Sequence, residues 1–90
     1  AEVGLISIKI IVVNHKLDLH GIPHKEAIKK AESFLIEASF DRTMVAEIIT
    51  GKSKTMQDNI IKEVITPYKF RYHIPAYNEG MIIVTQDEIL

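Results

Sequence analysis

Apolar residues recur along this chain at two periods. Between Leu5 and Val13 the period is two: Ile6, Ile8, Ile10 and Val12 share one face, and β-branched residues dominate. That pattern predicts a strand whose other face (Leu5, Ser7, Lys9, Ile11, Val13) is mixed. Asn14-His15-Lys16 reads as a turn or linker. Residues 16 to 20 read as a second strand, in which Leu17 and Leu19 alternate with Asp18 and His20. Gly21 ends it, and Pro23 suits the first turn of a helix. From Pro23 to Phe40 the spacing becomes helical. Ala27, Ile28, Ala31, Phe34, Leu35 and Ala38 form one apolar stripe, with Lys25, Lys29, Lys30, Glu32 and Glu37 on the wet side.

Past Asp41-Arg42-Thr43, a third strand is expected over Met44 to Thr50, and Gly51-Lys52-Ser53-Lys54-Thr55 is a loop. A second helix follows, with Ile60, Ile61, Val64 and Ile65 inward and Ser53 or Thr55 as its cap. Thr66-Pro67 ends it, because the residue before proline avoids the helical region. Phe70, Tyr72 and Ile74 alternate as a strand, Asn78-Glu79-Gly80 is a hairpin turn, and Met81 to Thr85 is the last strand. Strands separated by helices imply parallel neighbours with right-handed crossovers. Two helices cannot cover both faces of such a sheet, so a two-layer α/β sandwich with one face partly open is expected. Side chains alternate across a strand. Leu17 and Leu19 then face the helices, while Asp18 and His20 share the open side, roughly 6 to 7 Å apart along the strand. They lie at the C-terminal end of a parallel strand, where open α/β sheets bind ligands.

The totals narrow the class. The chain has 90 residues, 47% apolar and 26% charged, which fits one small globular domain. It has no cysteine, so disulfides and thiolate metal sites are excluded, and a reducing cytoplasm suits it. Its net charge of −1 means that a polyanion site must be a local patch. The apolar run "GLISIKIIVV" is about half the roughly 20 residues a membrane span needs. The chain begins Ala1-Glu2, without an initiator methionine, and reads as a processed or excised piece.

In this order of elements, Leu17-Asp18-Leu19-His20-Gly21, followed after four residues by Glu26-Ala27, resembles the LDxHG signature of the Smr (small MutS-related) domain. "IITGKS", residues 48 to 53, stands where that family carries its TGxG-type motif, and "FRYHIPAYNEGMIIVT" resembles its tail. The likeness covers about residues 16 to 86. It implies a βαβαββ core similar to the C-terminal domain of translation initiation factor three. Residues 1 to 15 would then be an N-terminal strand extension and residues 16 to 90 the domain. It also implies a domain that binds RNA or DNA and nicks or cleaves it, with Asp18 and His20 in the active site and Gly51-Lys52 in the nucleic-acid-contacting loop. Some relatives act on stalled ribosomes, so a ribosome is an implied partner, and a non-catalytic binding module is the alternative. The chain departs from the motif in two places. Ser53 replaces the second loop glycine, where a positive φ would be costly, and the glycine-rich stretch before the last strand is reduced to Gly80.

Phosphodiester cleavage needs a nucleophile, a proton acceptor and positive charge on the phosphate. His20 is a candidate general base or acid. Asp18 would orient it, hold it charged, or share a metal. Magnesium or manganese is compatible, because Mg²⁺ accepts few protein ligands, but not required. The bland alternative is a polar edge cluster in which His20 caps the turn. Lys52 and Lys54 precede a helix N-terminus, a ready phosphate site, and Arg71 is a candidate to join them. The alternative is a solvated lysine loop. Ala46 with Gly51-Lys52-Ser53 mimics a phosphate loop, but Glu47-Ile48-Ile49-Thr50 reads as strand where that loop needs a flexible turn. His20 and His24 are four apart with Gly21 and Pro23 between them, so they share no helical turn. His24 reads as a first-turn surface residue within reach of the cleft, and His15 and His73 as surface or edge residues. Glu26 reads as favourable charge at a helix start. Phe70, Tyr72 and Tyr77 are of the type that stacks on bases, but packing is the reading preferred for alternating aromatics. The β-branched strand over residues 5 to 13 leaves monomer and homodimer both open.

Overall fold

The longest apolar stripe becomes the longest element. In the computed structural model, which describes residues 12–86, helix α1 runs over His24–Ala38 and buries Ala27, Ala31, Leu35 and Ala38. Pro23 stands at its N-cap with an extended ψ of 142°, and no side chain caps the helix there. Strand β1 (His15–Asp18) precedes it and β2 (Val45–Ile49) follows. Helix α2 (Lys54–Ile60) starts where Ser53 Oγ accepts the Met56 amide at 3.1 Å. It widens into a π-type turn over Ile61–Ile65, in which the Thr66 amide reaches back to the Ile61 carbonyl. Strands β3 (Arg71–His73) and β4 (Met81–Thr85) complete the order. The predicted first strand falls mainly on residues 5 to 11, outside the described residues. Val12 and Val13 have no regular structure.

The sheet is mixed, in the order β1-β2-β4-β3. β1 and β2 pair in parallel, as the intervening helix implies, while β4 runs antiparallel to both β2 and β3. β2 and β3 are therefore parallel in direction but not neighbours, because β4 inserts between them. Burial explains the choice. Met81, Ile82, Ile83 and Val84 are all buried, and such a continuous apolar run needs cover on both faces. Arg71, Tyr72 and His73 are exposed, and a polar three-residue strand belongs at the edge.

Ala46, Ile48, Ile82 and Val84 pack with Leu19 and the buried residues of both helices in one cluster. Full burial of Leu35, Ile48 and Ile82 makes truncation of any of them to alanine worth roughly 2–5 kcal/mol. The opposite face is open only at its edges. Lys16 and Asp18 on β1 and Arg71 and His73 on β3 are exposed. In the centre Glu47 is 9% exposed, flanked in register by Lys16 and Ile83. Among the described residues no helix is long and apolar enough to cross a membrane.

Candidate nucleic-acid interface

Asp18 closes β1, two residues earlier than the alternation suggests. The Leu19 amide still bonds the Ile49 carbonyl at 2.7 Å, and Leu19 is fully buried, so the backbone is fixed up to that point. The chain then turns through His20 and Gly21, and the Ile22 amide reaches the Leu19 carbonyl at 3.1 Å. The turn folds His20 back onto Asp18. Asp18 Oδ1 accepts the His20 amide at 3.1 Å and lies 2.6 Å from His20 Nδ1. The two side chains are thus closer than their spacing along an ideal strand, and both are exposed, at 69% for His20 and 52% for Asp18.

This contact sets the chemistry of the pair. The His20 side-chain hydrogen bond, followed by its backbone bond, holds the Asp18 carboxyl below the usual carboxylate range. An ionised carboxylate only accepts, so in this contact Nδ1 is the donor. Asp18 Oδ2 is not drawn into the contact with His20.

The β2–α2 loop lies against this histidine. Gly51 has φ of 68°, in the left-handed region, and a Cβ built there would stand 3.2 Å from His20 Cβ. Glycine is needed twice over, for the turn and for the approach. The position of Gly51 is fixed from its other side by Gly80, whose carbonyl accepts the Thr50 and Gly51 amides at 2.8 and 3.0 Å. A Cβ on Gly80 would meet the Gly51 carbonyl oxygen at 3.1 Å. Gln57, 2% exposed, locks the two loops together by donating from Nε2 to Thr50 Oγ1 and to the Glu79 carbonyl. Lys52 and Lys54 follow in the same loop as exposed side chains. With Gly51 they line an open groove of about 1070 Å³, to which the β3–β4 connection contributes Ile74, Tyr77 and Glu79.

Two features of the chain decide its kinship: a carboxylate–imidazole pair closing the first strand, and a Gly-Lys loop pressed against it. Residues 17–84 match the family model described as Smr domain. The chain belongs to the Smr domain family. That family is associated with nucleic-acid binding and nicking. The mixed four-stranded sheet with two helices is compatible with its small two-layer α/β fold. No curated protein and no solved structure matches the chain.

Within this Smr domain, the serine at the second glycine position is accommodated without strain. Ser53 has φ of −81° and ψ of 96°, ordinary extended backbone, and its hydroxyl caps α2. The same hydroxyl lies 3.4 Å from His24 Nε2, so His24, exposed at the start of α1, reaches the loop. Arg71 is not brought to the site. It pairs in register with Thr85 and through it with Val45, whereas Asp18 shares its row with Ile49 and Met81. Arg71 is therefore about 13 Å along the strands and about 14 Å across the sheet from Asp18. The insertion of β4 accounts for the separation. His73 is exposed on the same edge strand, and His15 pairs with Asp41 at the opposite end of β1 from Asp18.

Tyr77 is the residue that pattern reading undervalued. Phe70 does pack on the core, with its ring centroid 6.2 Å from that of Tyr68, and Tyr72 is half-exposed. Tyr77 is 82% exposed and lines the groove. The available signal was its place after Pro75, beyond the last residue of the Phe70–Tyr72–Ile74 alternation. As for metals, among the described residues no three His, Asp or Glu side chains converge. A divalent cation here would have Asp18 Oδ2 as its protein ligand. The rest of its shell would be water and phosphate oxygens, a composition that suits Mg²⁺.

Proposed function

We propose that this Smr domain is an endonuclease of RNA or DNA in which the Asp18–His20 pair moves the proton. The observation that carries the reading is the 2.6 Å Nδ1–carboxylate contact, made by an exposed histidine that lies against Gly51. In this reading Nε2 removes a proton from the attacking hydroxyl, the ribose 2′-hydroxyl in RNA or a water in DNA. The oxygen attacks phosphorus, the P–O bond to the leaving oxygen breaks, and that oxygen takes up a proton. Asp18 holds the imidazole in one tautomer and stabilises it when it becomes charged, the role a carboxylate plays in other histidine-based sites. Lys52 and Lys54 offset phosphate charge, and Asp18 Oδ2 is the position from which a magnesium or manganese ion would be held. The uncapped N-terminus of α1 adds favourable dipole at the same end of the sheet.

The test is cleavage of labelled single- and double-stranded RNA and DNA, with and without divalent cation, by the wild-type chain and by His20→Ala. General acid–base catalysis contributes roughly 10²–10⁴-fold, so His20→Ala is expected to lose at least about 100-fold in rate while keeping its affinity. Salt-sensitive binding by the wild-type chain without turnover would replace the nuclease reading with that of a binding module for nucleic acid or the ribosome.

A further inference from the structure

The groove beside the histidine site has two unlike walls. Lys52 and Lys54 stand on the β2–α2 side, and Tyr77 and Glu79 on the β3–β4 connection. The walls are rigidly joined, since Gly80 and Gln57 tie the two segments by hydrogen bonds of 2.7 to 3.1 Å. Tyr77 presents its ring to solvent at 82% exposure, with the apolar side chain of Ile74 lining the groove nearby. Nothing about packing calls for an aromatic there. Gln57 adds a buried acceptor: its amide is engaged through Nε2, and among the described residues its Oε1 has no partner.

We infer that this groove is a subsite for an unpaired nucleotide adjacent to the phosphate at His20, with its base stacked on Tyr77 and its backbone held by Lys52 and Lys54. The inference rests on the nuclease reading above and adds the class of substrate, a single-stranded or splayed strand. Charge sets the orientation. Lysines draw the phosphate to the wall that Gly51 shares with His20, and the Glu79 carboxylate repels it from the tyrosine wall. Size agrees: about 1070 Å³, open to solvent, lies just above the roughly 300–1,000 Å³ of ligand sites, as suits one residue of a strand passing through. Selectivity for unpaired bases follows from stacking. A base in a duplex already has neighbours on both faces, whereas a splayed base offers a free face to an exposed ring.

The experiment measures the affinity of His20→Ala protein, which consumes no substrate in this reading, for labelled single-stranded RNA and DNA oligomers and for blunt duplexes of the same sequence. Adding Tyr77→Ala is expected to weaken single-strand binding about 5- to 150-fold, the span that alanine substitution of stacking aromatics gives, and to leave duplex binding unchanged. Tyr77→Phe keeps the ring and should keep the affinity. Unchanged single-strand affinity in Tyr77→Ala, or an equal fall on single strands and duplexes, overturns the subsite. If the wild-type chain still cleaves in that case, the nuclease reading stands alone. Failure of the wild-type chain to bind any of the oligomers overturns both.

Discussion

Strand β1 begins with one histidine–aspartate pair and ends with another. At its start, His15 Nε2 lies 3.1 Å from Asp41 Oδ2, and Asp41 Oδ1 accepts both the amide and the hydroxyl of Thr43 at 3.0 and 2.8 Å. Both oxygens of that carboxylate are engaged, and the pair is only 30% and 38% exposed. Around it Asn14 bridges Thr43 and Val45, and Gln86 donates to the Ser39 and Asp41 carbonyls. At the other end, Asp18 engages His20 through one oxygen, the pair is 52% and 69% exposed, and the glycine of a lysine-bearing loop lies against the histidine. The same two residue types thus close a polar seam at one end of the sheet and offer spare hydrogen-bonding capacity at the other. An Asp–His contact is by itself no mark of a site. The mark is what the contact leaves uncommitted and what stands beside it.

The sharpest way to break the comparison is to remove each imidazole in turn. His20→Ala is expected to lose at least about 100-fold in cleavage rate. His15→Ala should stay within about twofold of wild type in cleavage and lower the melting temperature instead. Equal losses of activity in both would erase the distinction.

A smaller effect is expected from Gly51→Ala. A left-handed φ costs an L-residue about 1–2 kcal/mol, and the added methyl group would crowd His20 at 3.2 Å. The variant should therefore lose both stability and activity. A variant that melted lower but cleaved normally would show that the loop's approach to His20 does not matter to the chemistry.

The smallest effect concerns acid. The Thr43 hydroxyl and then His15 hold the Asp41 carboxyl below its ordinary range, and His20 does the same for Asp18. A carboxyl with a lowered folded pKa adds stability above its unfolded value, about 3.9, and that contribution is lost as pH falls through the folded value. Asp41→Asn should melt lower at neutral pH and show a shallower loss of stability below about pH 4. A melting profile parallel to wild type over that range would deny the seam its electrostatic part.

Much of this was legible in the residues because it is local. The α1 stripe, the β2 and β4 runs and the Ser53 cap follow from periodicity and capping chemistry within a few positions of each residue. The alternation of Leu17 and Leu19 with Asp18 and His20 puts the pair on the exposed side, although the chain leaves the strand after Asp18 and brings the side chains into hydrogen-bond contact. Non-local pairing was harder to read. A hairpin allows β4 on either side of β3, and only the burial of Met81, Ile82, Ile83 and Val84 selects the central position. That one choice moves Arg71 away from the lysines and brings Gly80 against Gly51. Tyr77 escaped for the same reason, since its exposure depends on where the β3–β4 connection comes to rest.

The central claim is tested most directly by the same isosteric change at both ends of β1. Cleavage rates of Asp18→Asn and Asp41→Asn are compared under conditions where both variants are folded. The account predicts a loss of at least about 100-fold for Asp18→Asn, whose amide no longer fixes the His20 tautomer, and a rate within about twofold of wild type for Asp41→Asn. Undiminished cleavage by Asp18→Asn, or equal losses in the two variants, would contradict it.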